Sequence, residues 1–213
     1  WMTCEESVAG PEYGIKEQHG WLFEVPANAT DLIKAEPIKA MGRFNREAAC
    51  VDPNTGIVYM TEDRGDSLFY RYVPKAKSDL KLSGPLQPYF CCTNGGAKQL
   101  GQIMKYVPAT EQLTLFVESP DKQTYNFGDN LAVMPNGHLV VCEDQYGDTV
   151  DNALKGITPS GDTYNLARVR IQTEPAGACL SPDGKTMFLN LYAPTRTLAI
   201  TGPWGDASSD AVG

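Results

Sequence analysis

A short phrase recurs along the chain and limits what it can fold into. Val51-Asp52-Pro53-Asn54-Thr55-Gly56 leads into residues 57–63, Val133-Met134-Pro135-Asn136-Gly137 into 138–144, and Leu180-Ser181-Pro182-Asp183-Gly184 into 185–191. A weaker copy, Val107-Pro108-Ala109-Thr110-Glu111-Gln112 before residues 113–118, lacks the glycine. Proline fixes φ at one turn position and glycine supplies φ > 0 at another. The runs that follow are β-branched and aromatic, so each phrase reads as a hairpin. Hairpins recurring every few tens of residues predict an all-β radial repeat, with the β-propeller as the leading case.

Further strands are expected at residues 20–25, 67–73 and 197–201, and a helical turn or two within 31–42 and 97–106. The copies begin at Val51, Val107, Val133 and Leu180, an uneven spacing that requires insertions or two copies in one blade. At roughly 40–50 residues per four-stranded blade, the chain covers about four to five blades. We read residues 1–213 as a single propeller domain and part of a longer chain. No apolar run approaches the ~18 residues that cross a bilayer, and Trp1-Met2-Thr3-Cys4 shows no signal-peptide pattern.

With 26 acids against 18 bases the net charge is -8. That balance argues against nucleic acid or an anionic membrane surface as partner. It also repels phosphate, unless bound cations stand between the anion and the carboxylates. The six cysteines lack zinc-site spacing. The two histidines, His19 and His138, frame no catalytic triad, and neither a Gly-x-Ser-x-Gly nor a Walker-type loop is present. Hydrolysis by this chain would need metal ions.

Aligning the copies shows one position that carries oxygen. Six residues beyond Gly56 lies Glu62, beyond Gly137 lies Glu143, beyond Gly184 lies Asn190, and beyond Gln112 lies Glu118. Equivalent positions on different blades can converge near the axis, where carboxylates require a cation to coexist. The plainer alternative is that these acids end strands and cap the next turn. Thr3-Cys4-Glu5-Glu6 sets a thiol beside two carboxylates; carboxylates alone suit calcium or magnesium, and an added thiolate points to iron or zinc. Its alternative is an inert buried cysteine. In residues 41–50, Glu47 follows Arg43 and Arg46, a metal ligand or else a surface ion pair. Asp129-Asn130 and Glu174 stand at strand entries and offer calcium ligands, an Asx-turn or solvated loop acids.

Together these phrases resemble the PhoX family of alkaline phosphatases. The resemblance rests on Thr3-Cys4-Glu5-Glu6, His19 to Val25, Met41 to Glu47, Gly56 to Gly65, Asp129 to Val133, Cys142-Glu143-Asp144, Leu180 to Gly184, and Ala199 to Trp204. It implies a six-bladed propeller with an iron and calcium centre near its axis, periplasmic or extracellular. By motif, Cys4 resembles the iron thiolate ligand, and Glu47 and Glu143 the shared iron and calcium ligands. Glu5, Glu6, Glu62, Asp63, Asn130 and Glu174 are further metal candidates, and Arg46 and Arg64 candidates for gripping phosphate.

Two departures stand out. Family members are far longer, and the residue two before Glu143 is Val141, not a base. The implied activity is metal-dependent hydrolysis of small phosphate esters, in a form compatible with an oligomer. The alternative is a non-catalytic, calcium-stabilised propeller that serves as a scaffold.

Overall fold

The computed structural model describes residues 1–75, 88–145, 152–181 and 183–204. They fall into two compact units, Trp1–Pro88 and Tyr89–Gly213. In the first, β1 (Met2–Cys4) pairs with β2 (Leu22–Glu24), and β3 (Arg46–Val51), β4 (Val58–Glu62) and β5 (Phe69–Tyr72) form an antiparallel meander.

The second unit carries three such meanders. The first runs β6 (Tyr89–Cys92), β7 (Gln102–Val107), β8 (Gln112–Glu118). The next has four strands, β9 (Gly128–Val133), β10 (Leu139–Glu143), β11 (Ala153–Ile157) and β12 (Thr163–Arg168). The last is β13 (Pro175–Leu180), β14 (Thr186–Leu191), β15 (Arg196–Thr201). Sheets of three or four strands in sequence order are what propeller blades are made of.

The three full copies of the phrase each join the first strand of a meander to the second, as the sequence predicts. Gly56, Gly137 and Gly184 take φ of 73°, 81° and 67°, and their N–H groups close the turns onto Asp52 O, Met134 O and Ser181 O. The weak copy is different, because it joins a second strand to a third. There Glu111 occupies the left-handed position at φ 51° that glycine fills elsewhere. Glu118 is therefore not equivalent to Glu62 and Glu143. It instead accepts from Ala97 N at 2.9 Å and Gln102 Nε2 at 2.7 Å.

The uneven spacing follows: β6 and β7 are joined by residues 93–101, which carry no such phrase. Of residues 97–106, where a helical turn or two is expected, 97–99 lie in a turn that Gln99 N closes on Gly96 O at 3.1 Å, while 102–107 form β7 instead. Ile103 is fully buried against Val117 and Tyr125, and pairing with both neighbouring strands outweighs local propensity. Within 31–42 a single 3-10 turn, Lys39–Met41, is present.

Stacking of sheets explains the buried strands. Along β10, Leu139 and Val141 pack with Ile103, Val117 and Tyr125 on one side. Val140 and Cys142 pack with Ala178, Met187 and Leu189 on the other. Alternation thus drives both faces of β10 into apolar layers. The first strands lie side by side: β9 packs against β6 and β13, and Asn130 Oδ1 accepts from Ala178 N at 3.1 Å.

Gly101 tests this packing. Its φ is +117°, and a Cβ there would lie 2.8 Å from the Tyr125 ring and 3.0 Å from Thr93 O. Gly101→Ala is expected to cost about 2–4 kcal/mol in denaturant unfolding, from backbone strain and overpacking together. A loss below about 0.5 kcal/mol would mean that the loop relaxes freely.

Candidate metal centre

Three of the expected acids meet in the first unit. Glu6 follows β1, Glu47 lies on β3 and Asp63 follows β4. Each offers an oxygen within 4.8 Å of the others, and all three are exposed. Local structure accounts for the meeting. Arg46 N donates to Glu5 O at 3.3 Å and so brings the β1 exit against β3. The β3–β4 register shifts between Arg46 and Ala49, and this bulge re-aims Glu47. Ala48 N is taken up by Thr61 Oγ1 at 3.2 Å. Asp63 is tethered twice, its N–H to Asn45 O at 2.9 Å and its carbonyl from Asn45 Nδ2 at 3.0 Å.

Three carboxylates this close repel one another, and a cation relieves that repulsion. Their hard oxygen donors, with open solvent on one side, fit calcium, which takes 6–8 oxygens including water. Among the described residues this is the one such group of His, Cys, Asp or Glu side chains.

Cys4 is not part of it. Its side chain packs with Leu22, Phe44, Val58 and Met60. Burial pushes the thiol up to about 11, against the pull of nearby Arg46 and with the push of Glu47. Arg46 is fully buried. Its guanidinium lies 3.8 Å over the Phe44 ring, donates to Gly42 O at 2.9 Å and Met41 O at 3.2 Å, and contacts Met60 Sδ. Burial lowers its pKa, while Cys4 and Tyr70 oppose that. Arg64 is exposed, 3.8 Å from Asp66.

The remaining acids have other partners. Glu5 receives Gly20 N at 2.9 Å and Trp21 N at 3.1 Å, with His19 Nδ1 2.9 Å from its second oxygen. Glu62 accepts from Tyr70 Oη at 2.7 Å. In the second unit Glu143 is 2% exposed. It accepts from Asn126 N and Ala153 N, both at 2.9 Å, and lies 3.9 Å from Lys155 Nζ. Asn130 ties β9 to β13 as described above; burial raises the pKa of Cys142, and the charges of Asp129 and Glu174 add to that rise.

Two supporting residues escaped the sequence reading. Asn45 lies inside the motif that flagged Glu47, and its role depends on a tertiary contact. Lys155 carried a signal: a lone lysine amid Ala153-Leu154-Lys155-Gly156-Ile157 must find an acid.

The family model described as alkaline phosphatase PhoX matches residues 1–87 and 83–195. No curated protein matches the chain. Among solved structures, Pseudomonas fluorescens PhoX in complex with vanadate, a transition state analogue, is similar at a TM-score of 0.65 and 16% identity. That match covers 89% of this chain and 62% of that one. Regucalcin, a calcium-binding protein from Agrobacterium tumefaciens, is similar at a TM-score of 0.47 and 15% identity, covering 75% of this chain and 55% of that one. The sheets are those of a β-propeller, the class the repeated turns predict. The chain spans less than two thirds of the length of the PhoX structure it matches.

Proposed function

The chain belongs to the PhoX family of alkaline phosphatases, and on that footing we propose that it is part of a metal-dependent phosphomonoesterase acting on small phosphate esters. The observation that carries this reading is the meeting of Glu6, Glu47 and Asp63. Calcium bound there would supply Lewis acidity and positive charge for a phosphoryl oxygen. Glu6, Glu47 and Asp63 hold that charge at the surface, where an ester can reach it.

In this reading Arg64, exposed and next to Asp63, would meet the anion. Buried Arg46 takes a different part: it favours the Cys4 thiolate, the form in which Cys4 would bind iron. Glu5, Glu62 and Glu143 act in this reading as supports, since protein donors engage their oxygens. Asn130, whose Oδ1 accepts from Ala178 N, counts with these supports, and Glu174 is proposed as a metal ligand within the second unit taken by itself. A single propeller domain is supported by a family match running through residue 195. Export to the periplasm or beyond follows from the family. No helix among the described residues is long and apolar enough to cross a membrane.

A calcium-stabilised scaffold is the second reading, favoured by the chain's partial span and the burial of Arg46. One experiment separates the two. The purified chain is supplied with calcium and iron and assayed on a chromogenic phosphate ester at alkaline pH. Hydrolysis that falls at least about 100-fold in Glu47→Gln and Asp63→Asn supports the phosphatase. Calcium-dependent stabilisation without hydrolysis leaves the scaffold. Neither hydrolysis nor calcium binding would falsify both.

A further inference from the structure

A cationic cleft lies elsewhere, within the four-stranded sheet of the second unit. Its volume is about 490 Å³, and its lining includes Lys122, Gln123, Lys155, Asn165, Leu166 and Arg168. Register explains how it forms. Across β11 and β12, Lys155 sits opposite Asn165 and Ala153 opposite Arg168. Opposed residues in an antiparallel pair point to the same face, so lysine, asparagine and arginine gather on one side. The register shift between Leu154 and Lys155 adds a residue to β12 and opens that face. Lys122 comes from the segment between β8 and β9.

Three cations line this cleft in a chain of net charge -8, and no described lining residue is acidic. Lys155 forms the floor and is 5% exposed. Its ammonium donates to Gln123 O and Asn165 Oδ1, each at 2.7 Å. The acid beside it, Glu143, is 3.9 Å away, beyond hydrogen-bond reach. Among the described residues, the third N–H of this buried ammonium therefore meets no hydrogen-bonding oxygen. Such a donor is costly to leave unfilled.

We propose that this cleft is a second anion site, which takes the phosphoryl group of a small phosphate-bearing molecule. Lysine and arginine together suit a doubly charged tetrahedral oxyanion. Leu166 and Ala153 offer an apolar wall to the organic part of such a molecule, and the volume falls in the range of small-ligand sites. The site stands on residues distinct from Glu6, Glu47 and Asp63 and does not depend on the phosphatase reading.

The test titrates the full chain with inorganic phosphate, with methylphosphonate as a non-hydrolysable organic analogue, and with succinate, followed by NMR amide shifts. Shifts are expected in β11 and β12 with both phosphorus anions. They should persist in Glu47→Gln and weaken about fivefold in Lys122→Glu, whose exposed position spares the fold. Lys122→Gln with Arg168→Gln should weaken binding further. Three results would overturn the site: no shifts in β11 and β12, equal affinity in Lys122→Glu, or loss of binding in Glu47→Gln. Succinate binding as tightly as phosphate would overturn the phosphoryl assignment.

Discussion

Glu143→Ala is expected to cost about 3–5 kcal/mol of folding stability, the range for breaking a buried charged pair. Glu143 closes β10, and its two oxygens hold Asn126 N and Ala153 N at 2.9 Å each. Truncation leaves both N–H groups buried without an acceptor and removes the carboxylate nearest Lys155. Glu143→Gln keeps one acceptor oxygen, so a smaller loss is expected, about 1–3 kcal/mol. Replacing the pair together, Glu143→Leu with Lys155→Met, should recover part of the loss relative to the summed single variants. Guanidinium unfolding with a chelator present decides the matter. A loss below about 1 kcal/mol in Glu143→Ala would mean that Glu143 does not brace the sheet. A loss that appears only with calcium present would mark it as a ligand instead.

The turn phrases and the strands after them depend on local chemistry, so the all-β repeat was legible in the residues. The position six beyond the turn glycine was legible too, whereas the protein groups that meet it were not. Glu62 and Glu143 sit at equivalent strand ends, where one meets a tyrosine and the other two backbone donors. Spacing reports where a side chain stands on a strand, and not which donor a neighbouring strand or loop brings to it. Glu6, Glu47 and Asp63 were named individually from motifs, whereas their meeting depends on the β3 bulge and the Asn45 tether, neither of which leaves a periodic trace. Residues 102–106 escape local reading because β7 owes its conformation to partners on both sides.

Alkaline pH should destabilise the metal-free chain strongly. Burial raises the Cys142 thiol from 9.0 to about 12 and Cys4 from 9.0 to about 11. Cys142 is fully buried. In the fold both thiols keep their protons where the unfolded chain has released them. Between pH 9 and 11 the unfolded state thus binds fewer protons, and stability falls as pH rises. From pH 8 to pH 10 the two thiols together account for a loss of about 2–3 kcal/mol. Below pH 8 their contribution is fully present, so the curve there should be flat with respect to these groups. Denaturant unfolding at pH 8, 9 and 10, with reductant and chelator present, measures it, and an unchanged midpoint over that range overturns the assignment. Iron adds a second discriminating arm. If Cys4 binds iron as thiolate, the metal takes the place of the proton that burial otherwise holds there, and its share of the alkaline loss should vanish when iron is supplied. Cys142 sits in the apolar layer between two sheets, and its share should remain.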